Sequence, residues 1–129
     1  MKQVLLIEPE FYTRVQLDDE LAPHGYQVTS VKRVRNAIIK MKTQVFHIIL
    51  MSYEEDVEGA LRLLATLRQA FNSIPVVVLT KRPTENQLIQ LMRFRPVEVV
   101  VRPYSLINLL DRITAMIETA SKAEAGESR

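Results

Sequence analysis

The sequence predicts an α/β domain, a parallel sheet of five strands with helices on both of its faces. Three observations predict it. Five short runs rich in Val, Ile and Leu punctuate the chain: Val4 to Ile7, Tyr26 to Val31, Phe46 to Met51, Val76 to Leu79 and Val97 to Val101. Stretches long enough for one helix each lie between them. Ile48 to Met51 and Val76 to Leu79 are apolar on consecutive residues, the signature of a strand covered on both faces, as a parallel sheet with right-handed crossovers requires.

Each helix has its own pattern. After the first strand, Phe11, Val15, Leu17, Leu21 and Ala22 form a loose apolar stripe that stops at Pro23-His24-Gly25, where Gly25 supplies a left-handed turn. Val34, Ala37, Ile38, Met41 and Val45 make a second stripe. The third is longer: Val57, Ala60, Leu61, Leu64, Leu67 and Phe71 share a face, opposite Arg62 and Arg68. From Thr84 to Phe94 the pattern turns Leu88, Leu91 and Met92 inward and leaves Ile89 and Phe94 off the stripe. The fifth is the cleanest, with Ser105 placed to cap and Leu106, Leu109, Leu110, Ile113, Met116, Ile117 and Ala120 repeating at helical spacing. No internal repeat or linker interrupts the order. Residues 1–120 form the expected domain, and 121–129, rich in Ala, Glu, Gly and Ser, read as a flexible tail or the start of a linker.

Composition narrows the function. The 129 residues are 47% hydrophobic and 25% charged, and a chain of this length buries roughly two-thirds of its unfolded surface without staples. The absence of cysteine excludes a disulfide scaffold, a zinc-thiolate site and a cysteine nucleophile. A net charge of +2 is far from the basic stripe of a dedicated nucleic-acid binder. The apolar runs are too short to span a bilayer, and Lys2-Gln3 leading into four apolar residues and Glu8 is no signal peptide. The expected location is the cytoplasm.

An open α/β sheet binds ligands at the carboxyl ends of its strands. The residues there are Glu8, Pro9 and Glu10, then Ser52, then Thr80, then Arg102 and Pro103. With these in view the chain resembles the response-regulator receiver family from Val4 to about Ile117. In that family the first strand ends in an acidic pair, the third in the phosphoacceptor aspartate, the fourth in Thr or Ser and the fifth in Lys-Pro. Here Val4-Leu5-Leu6-Ile7-Glu8-Pro9-Glu10 stands at the acidic pair, His47-Ile48-Ile49-Leu50-Met51-Ser52 at the acceptor strand, Pro75 to Thr80 at the fourth strand, and Arg102-Pro103-Tyr104 at Lys-Pro-Phe. Leu67-Arg68 matches the Leu-Arg pair closing the third helix. The resemblance implies a flavodoxin-like doubly wound sheet in the order 2-1-3-4-5, five helices, three layers, and a cis bond between Arg102 and Pro103.

The departures carry the functional reading. Ser52 replaces the acceptor aspartate, Pro9 the second acid, Arg102 the lysine, and Val99 the switch aromatic of the fifth strand. A carboxylate accepts a phosphoryl group without a general base, whereas a serine hydroxyl needs an activating neighbour. Neither histidine is placed to serve, since His24 belongs to a helix-ending turn and His47 to the start of a strand. Magnesium needs carboxylate oxygens, and Glu8 with Glu10 offers a weak set, so the expectation is no cofactor, or magnesium bound only weakly. Arg102 can pair with Glu8 across the vacated pocket and lock it without phosphate.

Other features have plainer readings. Glu8 and Glu10 are either remnants of the pocket or charges at a solvated helix start, and Glu54, Glu55, Asp56 and Glu58 read as charges favouring the start of the next helix. Thr80 either contacts phosphate, as its family position implies, or caps a helix or closes a strand end. Lys81, Arg82, Arg93, Arg95 and Arg102 form a basic face around the fourth helix, without the aromatic platforms of a nucleic-acid site. Ile89, Phe94, Val99, Tyr104 and Ile107 fall on the fourth helix, fifth strand and fifth helix, the face through which receivers dimerise and meet targets. The reading favoured here is a non-enzymatic pseudo-receiver of the two-component, phosphorelay type, contacting protein partners or a second copy of itself through that face. Two rivals stand beside it: a phosphorylatable regulator using Glu54 or Asp56 with magnesium, and a flavodoxin-like nucleotide or cofactor binder. The second rival lacks the small residues that let backbone amides cradle a phosphate, since Glu8-Pro9-Glu10-Phe11 follows the first strand.

Overall fold

The computed structural model describes residues 1–53, 57–71 and 73–127. Strands β1 (Lys2–Ile7), β2 (Tyr26–Val31), β3 (Ile48–Tyr53), β4 (Val76–Thr80) and β5 (Val97–Val101) alternate with helices α1 (Phe11–Leu21), α2 (Val34–Met41), α3 (Val57–Ala70), α4 (Glu85–Met92) and α5 (Leu106–Glu127). The strands form one parallel sheet in the order β2-β1-β3-β4-β5. This is the doubly wound flavodoxin-like architecture expected from the sequence.

Alternation of side chains along each strand splits the core into two layers. Leu5, Ile7, Ile49, Met51, Val76 and Val78 pack with Val34 and Ala37 of α2, Ala60, Leu64 and Leu67 of α3, and Leu91 of α4. On the other face Val4, Leu6, Ile48, Leu50, Val77 and Leu79 pack with Leu17 and Leu21 of α1 and with Leu109, Ile113 and Ile117 of α5. β4 is buried along its whole length, and each fully buried Val or Leu there contributes about 1.5–3 kcal/mol of apolar transfer.

The helix starts are built by side chains. Ser105 Oγ accepts the Asn108 amide at 3.1 Å, as its position predicts. Thr84 and Gln87 close a reciprocal capping box on α4. Gly25, at φ 88°, ends the short 3-10 turn Ala22–His24, so His24 sits in that turn as expected.

Several boundaries and faces differ from expectation. β3 begins two residues later than Phe46 and ends two later than Met51, because Ser52 and Tyr53 keep pairing with Leu79 and Thr80. α2 stops at Met41, which leaves Val45 outside the helix and exposed. In α1 only Leu17 and Leu21 are buried, while Phe11 and Val15 face solvent. In α4 Leu91 alone is buried; Leu88 and Met92 are exposed, whereas Phe94, expected off the stripe, packs against the core. Arg68 does not face solvent with Arg62. Its half-buried guanidinium lies at the amino-terminal edge of the sheet, with Nε on Phe94 O at 2.7 Å, Nη1 on Ile74 O at 2.7 Å and Phe71 O at 3.2 Å, and Nη2 on Pro96 O at 2.8 Å. α5 runs on past Ala120, where a tail was expected, to Glu127.

Candidate functional site

The parallel register brings the carboxyl ends of the central strands level, with Ile7 opposite Val31 and Met51. Two backbone hydrogen bonds then carry the ladder one residue past its ends. The Glu8 amide donates to Val31 O at 2.9 Å, and the Arg102 amide to Thr80 O at 2.8 Å. Glu8 and Arg102 are therefore held by sheet geometry although each follows the last residue of its strand.

Across this edge the side chains connect. Ser52 Oγ donates to Glu8 Oε1 at 2.9 Å and accepts from Arg102 Nη2. Glu8 and Ser52 are 2% and 1% exposed, so the Ser52 hydroxyl joins a buried carboxylate to a guanidinium. Ser52 thus links Glu8 and Arg102, the two residues whose pairing is anticipated from sequence. Glu8 is thus no solvated helix-start charge.

Glu10 takes that second role. It is the N-cap of α1, its side chain accepting the Thr13 amide at 2.7 Å and the Thr13 hydroxyl at 2.8 Å. Those bonds to Thr13, amide first and hydroxyl second, hold its carboxyl below the ordinary glutamate value. The Glu10 amide reaches back to Glu8 Oε2 at 3.3 Å. Thr80 is buried, 1% exposed, and closes the end of β4 through its carbonyl; the cap of α4 is Thr84. The Arg102–Pro103 bond is cis, as the resemblance implies, and Arg95–Pro96 is cis as well. Pro9 and Pro103 are exposed.

Among the described residues the donor set offers magnesium little. Glu8 presents one carboxylate, already accepting from Ser52 and the Glu10 amide; Pro9 contributes a ring and Ser52 a neutral hydroxyl, where magnesium is held through one or two carboxylates with waters completing its shell. Among the described residues no three His, Cys, Asp or Glu side chains are grouped to hold a metal. Glu54 and Asp56, the alternative acceptors, and Glu55 lie outside the described residues. Glu58 does fall in the first turn of α3, where a negative charge complements the helix dipole.

The residues expected at an interface separate into two kinds. Ile89 and Ile107 are 53% and 73% exposed. Phe94 and Val99 pack against the α2–α3 layer of the core, and Tyr104 against the other. Leu88 and Met92 of α4 and Val101 of β5 are exposed on neighbouring elements; sequence periodicity had turned the first two inward. Arg14 was also missed: its Nη1 donates to Glu8 O at 2.9 Å and Pro9 O at 3.0 Å, and its guanidinium lies 5.7 Å from the Phe11 ring centroid. Nothing in its spacing signals that it clamps the loop after β1. His47 is occupied structurally, its Nδ1 accepting the Gln3 amide at 2.9 Å.

This geometry can be set beside known proteins. No family model matches the chain. Its fold is that of CheY-like receiver domains: a response regulator receiver domain protein from Methanospirillum hungatei superposes with a TM-score of 0.82 at 14% identity, over 95% of this chain and 98% of that one. The receiver domain of the sensor histidine kinase PA1611 of Pseudomonas aeruginosa, a structure with magnesium coordinated in its active-site cleft, gives a TM-score of 0.70 at 19% identity, over 91% of this chain and 98% of that one. In sequence the chain is similar to the phosphate regulon transcriptional regulatory protein PhoB of Rhizobium meliloti, 23% identical over 122 residues, which are 93% of this chain and 54% of that protein. The chain thus spans about half the length of that relative. Among the described residues no helix is long and apolar enough to cross a membrane.

Proposed function

We propose that the chain is a receiver-type module of two-component signalling that works without phosphate at Ser52, is not itself an enzyme, and acts in the cytoplasm through contacts with protein partners. One observation carries the reading: the residue at the acceptor position is a buried serine whose hydroxyl is held between Glu8 and Arg102. A phosphoryl group attached there would replace the proton that Ser52 donates to Glu8 Oε1 and set a dianion against that buried carboxylate. The arrangement supplies internally a connection between the ends of β1, β3 and β5. Among the described residues no three acids are grouped to hold a magnesium ion such as the one in the cleft of the Pseudomonas receiver domain. Ile89 and Ile107 on α4 and α5, exposed beside Leu88, Met92 and Val101, support partner or homodimer contacts through that face.

The test is an amide NMR titration with magnesium and then beryllofluoride, a mimic of an acyl phosphate, on the parent and on Ser52→Asp, followed by intact mass after exposure to acetyl phosphate. The expected result is a still parent spectrum, an unchanged parent mass, and shifts around residues 8, 52, 80 and 102 in the variant. Gain of one phosphoryl mass by the parent would overturn the reading in favour of an acceptor among other carboxylates, Glu54 and Asp56 included.

A further inference from the structure

A cavity of about 380 Å³ opens beside the site, between the amino-terminal end of α2 and the middle of α3. Its volume falls at the small end of the roughly 300–1,000 Å³ that ligand pockets span. Ile7, Pro9, Val34, Ile38 and Leu63 give it an apolar lining. Its rim is different in kind, carrying Lys32, Arg33 and Arg35, all exposed.

The charged side chains among the described residues lining the cavity are all cations. α2 has no acidic residue in its first turn, and Arg33 at its N-cap offers no side-chain bond to the helix amides. The positive end of the helix dipole therefore points the same way as three cations. Such an arrangement is unfavourable for the isolated helix, which prefers an acidic side chain at its start. It becomes favourable when an anion sits at the rim. Pro9 builds part of the apolar wall.

We infer that this cavity binds a small amphiphilic anion, with its hydrocarbon portion among Val34, Ile38 and Leu63 and its carboxylate or equivalent monoanionic head at Lys32, Arg33 and Arg35. Charge complementarity fixes the sign of the head group, and the lining fixes the apolar body. The inference goes beyond the phosphate-independent reading and rests on it in one respect: Ser52 also lines the cavity, so a phosphoryl group there would place a competing anion in the lining.

Octanoate, octylammonium and octanol, titrated into the isotopically labelled full chain, test it. Octanoate is expected to give saturable amide shifts confined to Ile7, Lys32 to Ile38, Leu63 and Thr66. Octylammonium and octanol bind at least about tenfold more weakly, since one is repelled and the other lacks the head group. The Arg33→Ala/Arg35→Ala double variant weakens octanoate about fivefold while leaving octanol unchanged. Thr66→Trp, a change at an exposed lining position on α3, fills the cavity and abolishes octanoate binding, with the unfolding midpoint measured in parallel. Non-saturating or scattered shifts, octylammonium binding as tightly as octanoate, or a double variant with undiminished octanoate affinity each overturns the proposal. A cavity that instead receives a side chain of a partner protein leaves all three probes without effect, which overturns it too.

Discussion

Ser52 Oγ donates a 2.9 Å hydrogen bond to Glu8 Oε1 with both residues almost fully buried. A carboxylate removed from water is costly unless its oxygens are satisfied. Here the hydroxyl and the Glu10 amide serve the two oxygens, and Arg102 approaches the same hydroxyl from β5. The serine at the carboxyl end of β3 is therefore one of the groups that make the buried Glu8 tolerable.

Ser52→Ala should lower stability by about 1–3 kcal/mol, the usual cost of leaving a buried polar group short of a partner. Urea unfolding measures it. A variant as stable as the parent would show that Glu8 is satisfied without the hydroxyl.

Ser52→Asp puts a second carboxylate against Glu8, and like charges in one buried site raise the pKa of one of them. At neutral pH the variant should unfold at lower urea than the parent. Millimolar magnesium should restore part of the loss, because the site then has two acidic ligands for a hard dication. The parent midpoint should not move with magnesium; an equal gain in both proteins would sink the view that Ser52 is what excludes the metal.

Arg68 ties three segments together, its guanidinium donating to the carbonyls of Phe71, Ile74, Phe94 and Pro96. Burial lowers its pKa from the ordinary value, yet arginine remains a cation at neutral pH. Arg68→Ala strands several part-buried carbonyls and should cost on the order of 3 kcal/mol by thermal or urea unfolding. Arg68→Lys should recover less than half of that, since an ammonium cannot span four acceptors held by a planar fork. Full rescue by lysine would mean that the charge alone matters.

These residues also show what a sequence discloses. The strands were legible because runs such as Val76 to Leu79 are apolar on both faces, a pattern no amphipathic helix produces. Residue spacing alone could not join Glu8, Ser52 and Arg102, which lie 44 and 50 positions apart in the bonded pairs; family resemblance placed them at one edge, and the hydrogen bonds defined how they meet. Arg68 was misread because periodicity treats a charge as facing outward. Its acceptors Phe94 and Pro96 come from 26 and 28 residues away, beyond any local pattern. Phe11 and Val15 fit a helical stripe equally well, but α1 buries only Leu17 and Leu21 near its end, so the stripe is shorter than the apolar residues suggest.

Glu10 gives a pH signature. Its folded pKa is depressed below the ordinary value of 4.5 by the Thr13 amide and hydroxyl. For a carboxyl with a depressed folded pKa, the stabilisation is complete above the unfolded value and is lost as pH falls through the folded one. The melting-temperature difference between parent and Glu10→Gln should thus be constant near neutrality and shrink in acid, starting near the ordinary glutamate pKa. A difference unchanged down to the acid limit would show that Gln caps as well as Glu and that the charge contributes nothing.

The face formed by α4, β5 and α5 allows packing and association to be separated. Leu91 is the buried residue of α4 and Phe94 packs beside it on the core, so Leu91→Ala should cost about 2–5 kcal/mol, and Phe94→Ala, only partly buried, less than the full cost of a core aromatic. Ile89 and Ile107 are exposed, and replacing either with Ser should change stability by less than about 0.5 kcal/mol. If the face is a docking surface, the Ile89→Ser/Ile107→Ser double variant should nevertheless weaken self-association or partner capture, read by sedimentation velocity across a concentration series and by pull-down with the parent as control. A double variant that unfolds early would place these side chains in the core of the domain; one that keeps both its stability and every association of the parent would remove the face from consideration as an interface.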